Sequence, residues 1–335
     1  METSPTQVAA IADLTLRLGG VLRQACIAYR TYGRLAPDGR NAILVTHGFT
    51  SSHTFLEEGG WGRLLGSGKP LDTDRFFVVS SNMLGSSFGS TGPAAVDPAL
   101  GRPYGPDFPQ LTVADIVVAQ RRLLDALGVR ELVAVVGPSY GGFQAFTWGV
   151  EFPGFMRGLV PVETAPRASA PFDDGALLRR LVQDPAWNGG HYHRAGAVLQ
   201  TMVDLRVETL CRYGAEQGLR AQGLTEEAVK AEIRQQARDW AQLFDAHSML
   251  ALGRAINRYD VRADLGRIRA RVLYVLSRTD VLFPPSLALE VMPALAAARV
   301  DARYAEIDTE HGHLGSDVDV AKWAPILAEF LQGLG

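Results

Sequence analysis

The chain has 335 residues, 47% of them hydrophobic, and its 33 basic and 36 acidic side chains leave a formal net charge of −3. That is enough apolar material for one large domain, or for a domain carrying an insertion, and the charge balance argues against a nucleic-acid partner. No stretch reaches the roughly 20 apolar residues of a membrane-spanning helix, Met1–Leu14 lacks the basic-then-apolar pattern of a secretion leader, and two isolated cysteines, Cys26 and Cys211, fit a reducing compartment without a disulfide framework. A soluble cytoplasmic protein is expected.

Leu14–Leu18 and Val21–Tyr32 flank Gly19-Gly20 and read as a hairpin. Ala42–Thr46 is a short continuous apolar run, as expected of a strand buried on both faces, and Arg75–Ser80 reads the same way. From Thr112 to Leu127, apolar residues at Val113, Ile116, Val117, Leu123, Leu124 and Leu127 lay one stripe down a helix. A strand at 132–136, a helix from Ser139 and a strand near Gly158–Val162 follow. The alternation then pauses. From Ala165 to Gly266 helical patterns dominate, with turn signals at Asp184-Pro185 and Asn188-Gly189-Gly190. Within this stretch, the densest basic tract, Arg262–Arg271, holds four arginines and reads as a solvated helix face or connection. Strands resume at Val272–Leu276 and near Arg303–Ile307, with helices near Ser286–Ala297 and over Val320–Leu331. The pattern predicts an α/β fold: a mostly parallel sheet flanked by helices, built from 1–164 and 267–335 and interrupted by a helical cap over 165–266.

Residues 137–142 read Gly-Pro-Ser-Tyr-Gly-Gly, directly after the apolar run Leu132–Val136. A buried strand followed by Gly-x-Ser-x-Gly at the start of a helix resembles the nucleophile elbow of α/β-hydrolases, which makes the Ser139 hydroxyl the candidate nucleophile for attack on an acyl carbon. The glycines are required sterically, since a strand that turns straight into a helix brings neighbouring backbone close to positions 137 and 141. A serine hydroxyl needs a base, and the base needs a carboxylate to fix its tautomer. In this fold the chain order is Ser, Asp or Glu, then His. Asp280, four residues beyond the strand 272–276, is the candidate carboxylate, with Glu306 and Asp308 as rivals that lie close in sequence to the base. The base should come from the loop Asp308-Thr309-Glu310-His311-Gly312-His313. There His313 is favoured over its rival His311, because the glycine before it lets the loop bring the ring close to Ser139. The backbone N–H groups of Tyr140 and of Phe49, in the loop His47-Gly48-Phe49-Thr50, are candidates to hold the oxyanion. Gly48 would permit the bend that aims the Phe49 N–H inward. Asp308, His311 and His313 lack a second His or Cys cluster at ligand spacing, so no metal is expected. His191 and His193 read as solvent-facing or pocket-lining, and Gly59-Gly60-Trp61 and the region of Trp187 as pocket walls.

Longer segments are similar to the homoserine O-acetyltransferase group of α/β-hydrolase-fold acyltransferases. They include Asn41–His47, Gly68–Arg75, Ser81–Gly85 with Gly89–Pro93, Pro103–Pro109, Asp184–Tyr192, and Asp280 with Leu282–Pro285. The resemblance implies Ser139, Asp280 and His313 as nucleophile, orienting acid and base, a ping-pong transfer from a donor such as acetyl-CoA to a hydroxyl acceptor, and a homodimer joined through cap helices. It implies no bound cofactor, with acyl-CoA acting as co-substrate. Homoserine-using members carry Gly-His-Asp at the base, where this chain has Gly312-His313-Leu314. They also carry a cap-helix arginine, where Ala197–Val203 has none and Arg206 is the next in sequence. A buried amino-acid zwitterion needs both charges paired. The expectation is therefore a hydrolase of small or medium acyl esters, an acetate ester among them, with Gly48, Thr50, Arg206 and Leu314 around the substrate. The alternative is an O-acyltransferase in which Arg206 clamps the acceptor.

Overall fold

The continuous apolar runs become the middle of one sheet. In the computed structural model, which describes residues 5–192 and 197–335, the strands are β1 (Gln7–Thr15), β2 (Val21–Tyr32), β3 (Ala42–Thr46), β4 (Phe77–Ser81), β5 (Leu132–Pro138), β6 (Met156–Val162), β7 (Arg271–Ser277) and β8 (Ala302–Ile307). They lie in the spatial order β1-β2-β4-β3-β5-β6-β7-β8. β1 and β2 run antiparallel to their neighbours and every other pair is parallel. All residues of β3 and β4 are buried, because a parallel strand covered by helices on both faces has no polar side to show. Along β3, Ala42 and Leu44 join one apolar layer while Ile43 and Val45 join the other, the period-two alternation of a strand.

The helices are α1 (Val113–Ala126), α2 (Tyr140–Glu151), α3 (Asp174–Gln183), α4 (Leu199–Tyr213), α5 (Ala215–Ala221), α6 (Glu226–Ala241), α7 (Ala246–Ile256), α8 (Ala288–Ala297) and α9 (Val320–Gln332). Thr112 starts α1 with a capping box: its hydroxyl accepts from the Asp115 N–H at 3.2 Å and Asp115 Oδ2 accepts from the Thr112 N–H at 2.8 Å. Trp148 of α2 packs in one layer and Trp323 of α9 in the other, both fully buried. Each contributes roughly 4–6 kcal/mol by area removed from water.

Between β6 and β7 the described residues form α3 to α7, short 3₁₀ turns and only an isolated bridge from Arg167 to Asp260. The arginine tract there is a 3₁₀ connection, Arg262–Arg267, leading into β7. The hairpin differs from the sequence expectation. Its first strand runs Gln7–Thr15, and Leu16–Leu18 belong to the turn, where the Leu16 N–H donates to the Gly20 carbonyl at 3.1 Å. The small alternating side chains of Val8–Ala10 hide the strand signal, and bulges at Ala12 and Gln24, both at positive φ, break its period.

Candidate active site

Ser139 sits between the end of β5 and the start of α2 with φ 55° and ψ −119°, a backbone conformation that costs about 1–3 kcal/mol for a non-glycine residue. Its neighbours hold it there: its N–H donates to the Val162 carbonyl at 2.8 Å, and its carbonyl accepts from the Thr164 hydroxyl at 2.9 Å. A Cβ at Gly137 would lie 2.1 Å from Thr46 Oγ1, and one at Gly141 would lie 2.3 Å from the Thr46 carbonyl oxygen. Both positions therefore admit glycine alone.

The structure brings Ser139, His313 and Asp280 into one hydrogen-bonded chain. Ser139 Oγ is 2.9 Å from His313 Nε2, and His313 Nδ1 is 2.7 Å from Asp280 Oδ2. A carboxylate only accepts, so the ring proton is on Nδ1 and Nε2 is free to accept from the serine hydroxyl. Asp280 Oδ1 accepts from the N–H groups of Leu282 at 2.8 Å and Phe283 at 3.2 Å, which fixes the carboxylate plane. Burial opposes a charge on His313. The hydrogen bond to Asp280 and the negative charges of Asp280 and Glu163 outweigh it, so the imidazole pKa is raised.

The rival groups go elsewhere. His311 turns toward the cap, where a Cβ at Gly218 would lie 3.4 Å from its Nδ1. Asp308 accepts from Arg278 Nε at 2.7 Å and Glu306 from the Tyr304 hydroxyl at 2.9 Å, both on the surface. Among the described residues no cluster of three His, Cys, Asp or Glu has metal-binding geometry. Both cysteines are free thiols.

The loop after β3 reaches the serine. A Cβ on Gly48 would lie 3.9 Å from Ser139 Cβ, and the rings of Phe49 and Tyr140 stack at 5.9 Å with 9° between planes. Within the described residues the backbone N–H groups of Phe49 and Tyr140 donate to no protein acceptor, which leaves both available to a ligand beside Ser139. His47 supports this loop, a role its sequence context did not suggest. Its ring is buried, its Nε2 accepts from the Met83 N–H at 3.1 Å and its Nδ1 donates to the Gly48 carbonyl at 2.9 Å. Burial pushes its pKa down to about 4, so it stays neutral and keeps that tautomer.

Ser139 opens onto two cavities. One, of about 250 Å³, carries the polar side chains of Arg206, His313 and Asp317 and is also lined by Gly48 and Leu314 among others. The other, of about 440 Å³, lies against α3, α4 and α7; it is lined by apolar side chains including Phe143, Phe172, Met249 and Phe283, and by the charged Arg180, Glu208 and Arg212. Thr50, Phe49 and Tyr213 border both. Gly59 and Trp61 reach the polar cavity. Trp187 borders neither; it packs at 4.7 Å against His247 and 5.6 Å against Tyr192 inside the cap. His191 is exposed, and His193 lies outside the described residues.

Arg206 projects from α4 into the polar cavity. Its Nη1 donates to Thr50 Oγ1 at 2.7 Å and its guanidinium lies 5.1 Å from the Trp240 ring centre. Its Nε is buried without a partner, and burial lowers its pKa, opposed by Tyr213. Among the described residues no carboxylate pairs with it. A half-buried cation held by one hydroxyl and an aromatic face has donors left that can pair with an anion. The sequence named Arg206 as a candidate beside the substrate; the docking of α4 is what sets it against Thr50 and Trp240.

Glu163, at the end of β6, is a second residue the sequence did not flag. It is 1% exposed, has φ 48°, and borders the polar cavity. Burial raises its pKa to about 7; His313 works against that rise and Asp280 adds to it.

The strand order, the strained serine after the central strand and the histidine brought from the C-terminal loop define a hydrolase-type α/β architecture. The chain belongs to the α/β hydrolase fold family, whose model matches residues 41–314. A homoserine O-succinyltransferase from Methylibium petroleiphilum is 40% identical, covering 92% of this chain and 89% of the relative. A homoserine O-acetyltransferase from Symbiobacterium thermophilum is 37% identical, covering 96% and 92%. The crystal structure of esterase E22 superposes with a TM-score of 0.85 at 26% identity, covering 98% of this chain and 99% of that one. The chain is thus similar both to acyltransferases that act on homoserine and to an esterase, and it shares the enzyme fold of both.

Proposed function

We propose that the protein is a serine hydrolase of small or medium acyl esters that works through an acyl-enzyme. Ser139 Oγ attacks the acyl carbon while His313 Nε2 takes its proton, and Asp280 holds the imidazole in the accepting tautomer and stabilises its cationic form. The N–H groups of Phe49 and Tyr140 hold the oxyanion. His313 then returns the proton to the leaving alcohol, and a water activated by the same imidazole releases the acid. Because His313 must reach the leaving and entering oxygens, the polar cavity on its side takes the alcohol and then water. The apolar cavity on the far side of Ser139 takes the acyl chain.

The observation that carries this reading is the linked chain from Ser139 through His313 to Asp280, opening onto a cavity whose wall beside the base is Leu314. Leu314 itself gives an amino-acid ammonium no counter-charge beside the base; the carboxylates of that cavity are Glu58, Glu163 and Asp317. Arg206 favours a second reading, in which the attacking group is the hydroxyl of a carboxylate-bearing acceptor and acyl-CoA is the donor, as the names of the acyltransferase relatives suggest. In either reading the substrate is a small molecule, no resident cofactor takes part, and a homodimer through the cap is the proposed assembly.

The partition of the acyl-enzyme decides between them. The enzyme is acylated with a chromogenic acetate ester, and homoserine, serine or a simple alcohol is added. Under the hydrolase reading turnover is unchanged by sub-millimolar acceptor and acetate is the product. Acceleration by an amino acid, with the acyl group recovered on its hydroxyl, refutes it in favour of transfer.

A further inference from the structure

The buried carboxylate beneath the catalytic residues has no task in the mechanism above. Glu163 Oε1 accepts from the Ser277 hydroxyl at 2.5 Å and from the Ser316 N–H at 2.8 Å, and its Oε2 accepts from the Ser316 hydroxyl at 2.7 Å. Ser277 closes β7, three residues before Asp280. Ser316 follows His313 by three residues, in the turn Gly315–Val318. One side chain therefore joins the strand next to the elbow, the loop of the acid and the turn of the base.

Two further features show that the junction is specific. Gly315 packs so tightly that a Cβ would lie 2.4 Å from Ser277 Oγ. The Ser316 carbonyl also accepts from Trp323 Nε1 at 2.8 Å, which locks the turn to α9. A non-glycine residue at positive φ with an ionisable side chain kept out of water is an arrangement that folding alone disfavours, and such strain gathers at functional sites.

We propose that Glu163 is a positioning residue, which clamps the His313 turn against the sheet and supplies a second negative charge that favours the imidazolium formed during acylation. The proposal rests on His313 being the base. The charged and titratable groups around the same cavity are Glu58 and Asp317 from the loops on either side, Arg206 and Tyr213 from α4, and His313 itself. Asp280 lies behind His313. The negative charge of Glu163 helps to raise the His313 pKa, and His313 in turn opposes the rise of the Glu163 pKa.

The test is the pH profile of kcat/KM for a chromogenic acetate ester, measured on the full chain for wild type, Glu163→Gln and Ser316→Ala. Gln keeps an oxygen to accept from Ser277 and the Ser316 N–H but removes the charge. The expected result is an acid limb displaced to lower pH by half a unit or more, with kcat reduced several-fold and KM within about twofold. Ser316→Ala leaves the charge and loosens the turn; kcat should fall several-fold with the acid limb unmoved. An acid limb in Glu163→Gln that coincides with wild type overturns the charge role. Should Glu163→Gln fail to fold, a Ser316→Ala enzyme with wild-type kcat overturns the clamp. Ser139→Ala is measured alongside. If it retains turnover, the hydrolase reading itself fails; if it is inactive while the Glu163→Gln profile is unchanged, only the present proposal fails.

Discussion

Replacing Asp280 by Asn changes one oxygen to an amide nitrogen and leaves the shape intact, so its effect on rate can be worked from the hydrogen bonds. The amide has two possible orientations. In one, its oxygen keeps the N–H groups of Leu282 and Phe283, now at 2.8 and 3.2 Å from Oδ1, and its NH₂ faces His313 Nδ1, now 2.7 Å from Oδ2. That NH₂ can only donate, so the imidazole must shift its proton to Nε2, where it points at Ser139 Oγ and can no longer accept. In the other orientation the tautomer survives, but two buried backbone N–H groups face an NH₂ and lose their acceptor, at about 1–3 kcal/mol each. A tautomer exchange costs less than that pair of losses, so the first orientation wins and the base is disabled. The expected loss in kcat is on the order of 10³–10⁴, or roughly 4–5.5 kcal/mol of transition-state stabilisation. The assay is the acylation burst with a chromogenic acetate ester, with circular dichroism to confirm folding. A folded Asp280→Asn enzyme with kcat within tenfold of wild type would refute the assignment of Asp280 as the orienting acid.

Arg206→Met should leave hydrolysis of neutral acetate esters within about threefold while cutting kcat/KM for esters of a carboxylate-bearing alcohol by about 10- to 100-fold, the worth of a charge-assisted hydrogen bond. Equal losses on both substrate classes would show that Arg206 supports the fold instead of the ligand. Leu314→Asp places a carboxylate directly beside the base, in addition to Glu58, Glu163 and Asp317 around the cavity, so acyl transfer to homoserine should rise at least tenfold in the partition assay; no rise would mean that Leu314 does not face the acceptor. In an acyl-length series from acetate to hexanoate, the apolar cavity should add up to fourfold in kcat/KM per methylene, from about 0.8 kcal/mol of burial each. A steady decline from acetate onward would remove the acyl chain from that cavity.

How much of this was legible before folding varies with the range of the forces involved. The elbow could be read because its constraint is local: Gly137 and Gly141 answer to backbone a few ångströms away, and the apolar run before Ser139 and the helical pattern after it lie in one window of sequence. Asp280 could be placed by its strand, because loops at the carboxyl ends of parallel strands converge. The two histidines of the 308–313 loop could not be separated by spacing. The choice comes from Gly312, at φ 55°, turning the chain so that His313 faces inward and His311 faces α5.

Glu163 marks the other limit, and Arg206 does so in part, since the sequence could name it but not its surroundings. The sequence puts a basic residue on an amphipathic cap helix and an acidic residue at the end of an apolar strand, and in most proteins both positions face water. Only the docking of α4 sets the arginine, half-buried, against Thr50 and Trp240. Only the approach of β7 and the 315–318 turn gives Glu163 the three donors that hold its carboxylate out of water. The succession of strands and helices and the candidate nucleophile thus followed from the sequence by itself, since burial pattern and backbone sterics act between near neighbours. The order of the strands and the charges around the serine were decided by tertiary structure, because the energy of an ionised group depends on what surrounds it in space, and residues 139, 163, 206 and 313 meet only after the sheet has formed.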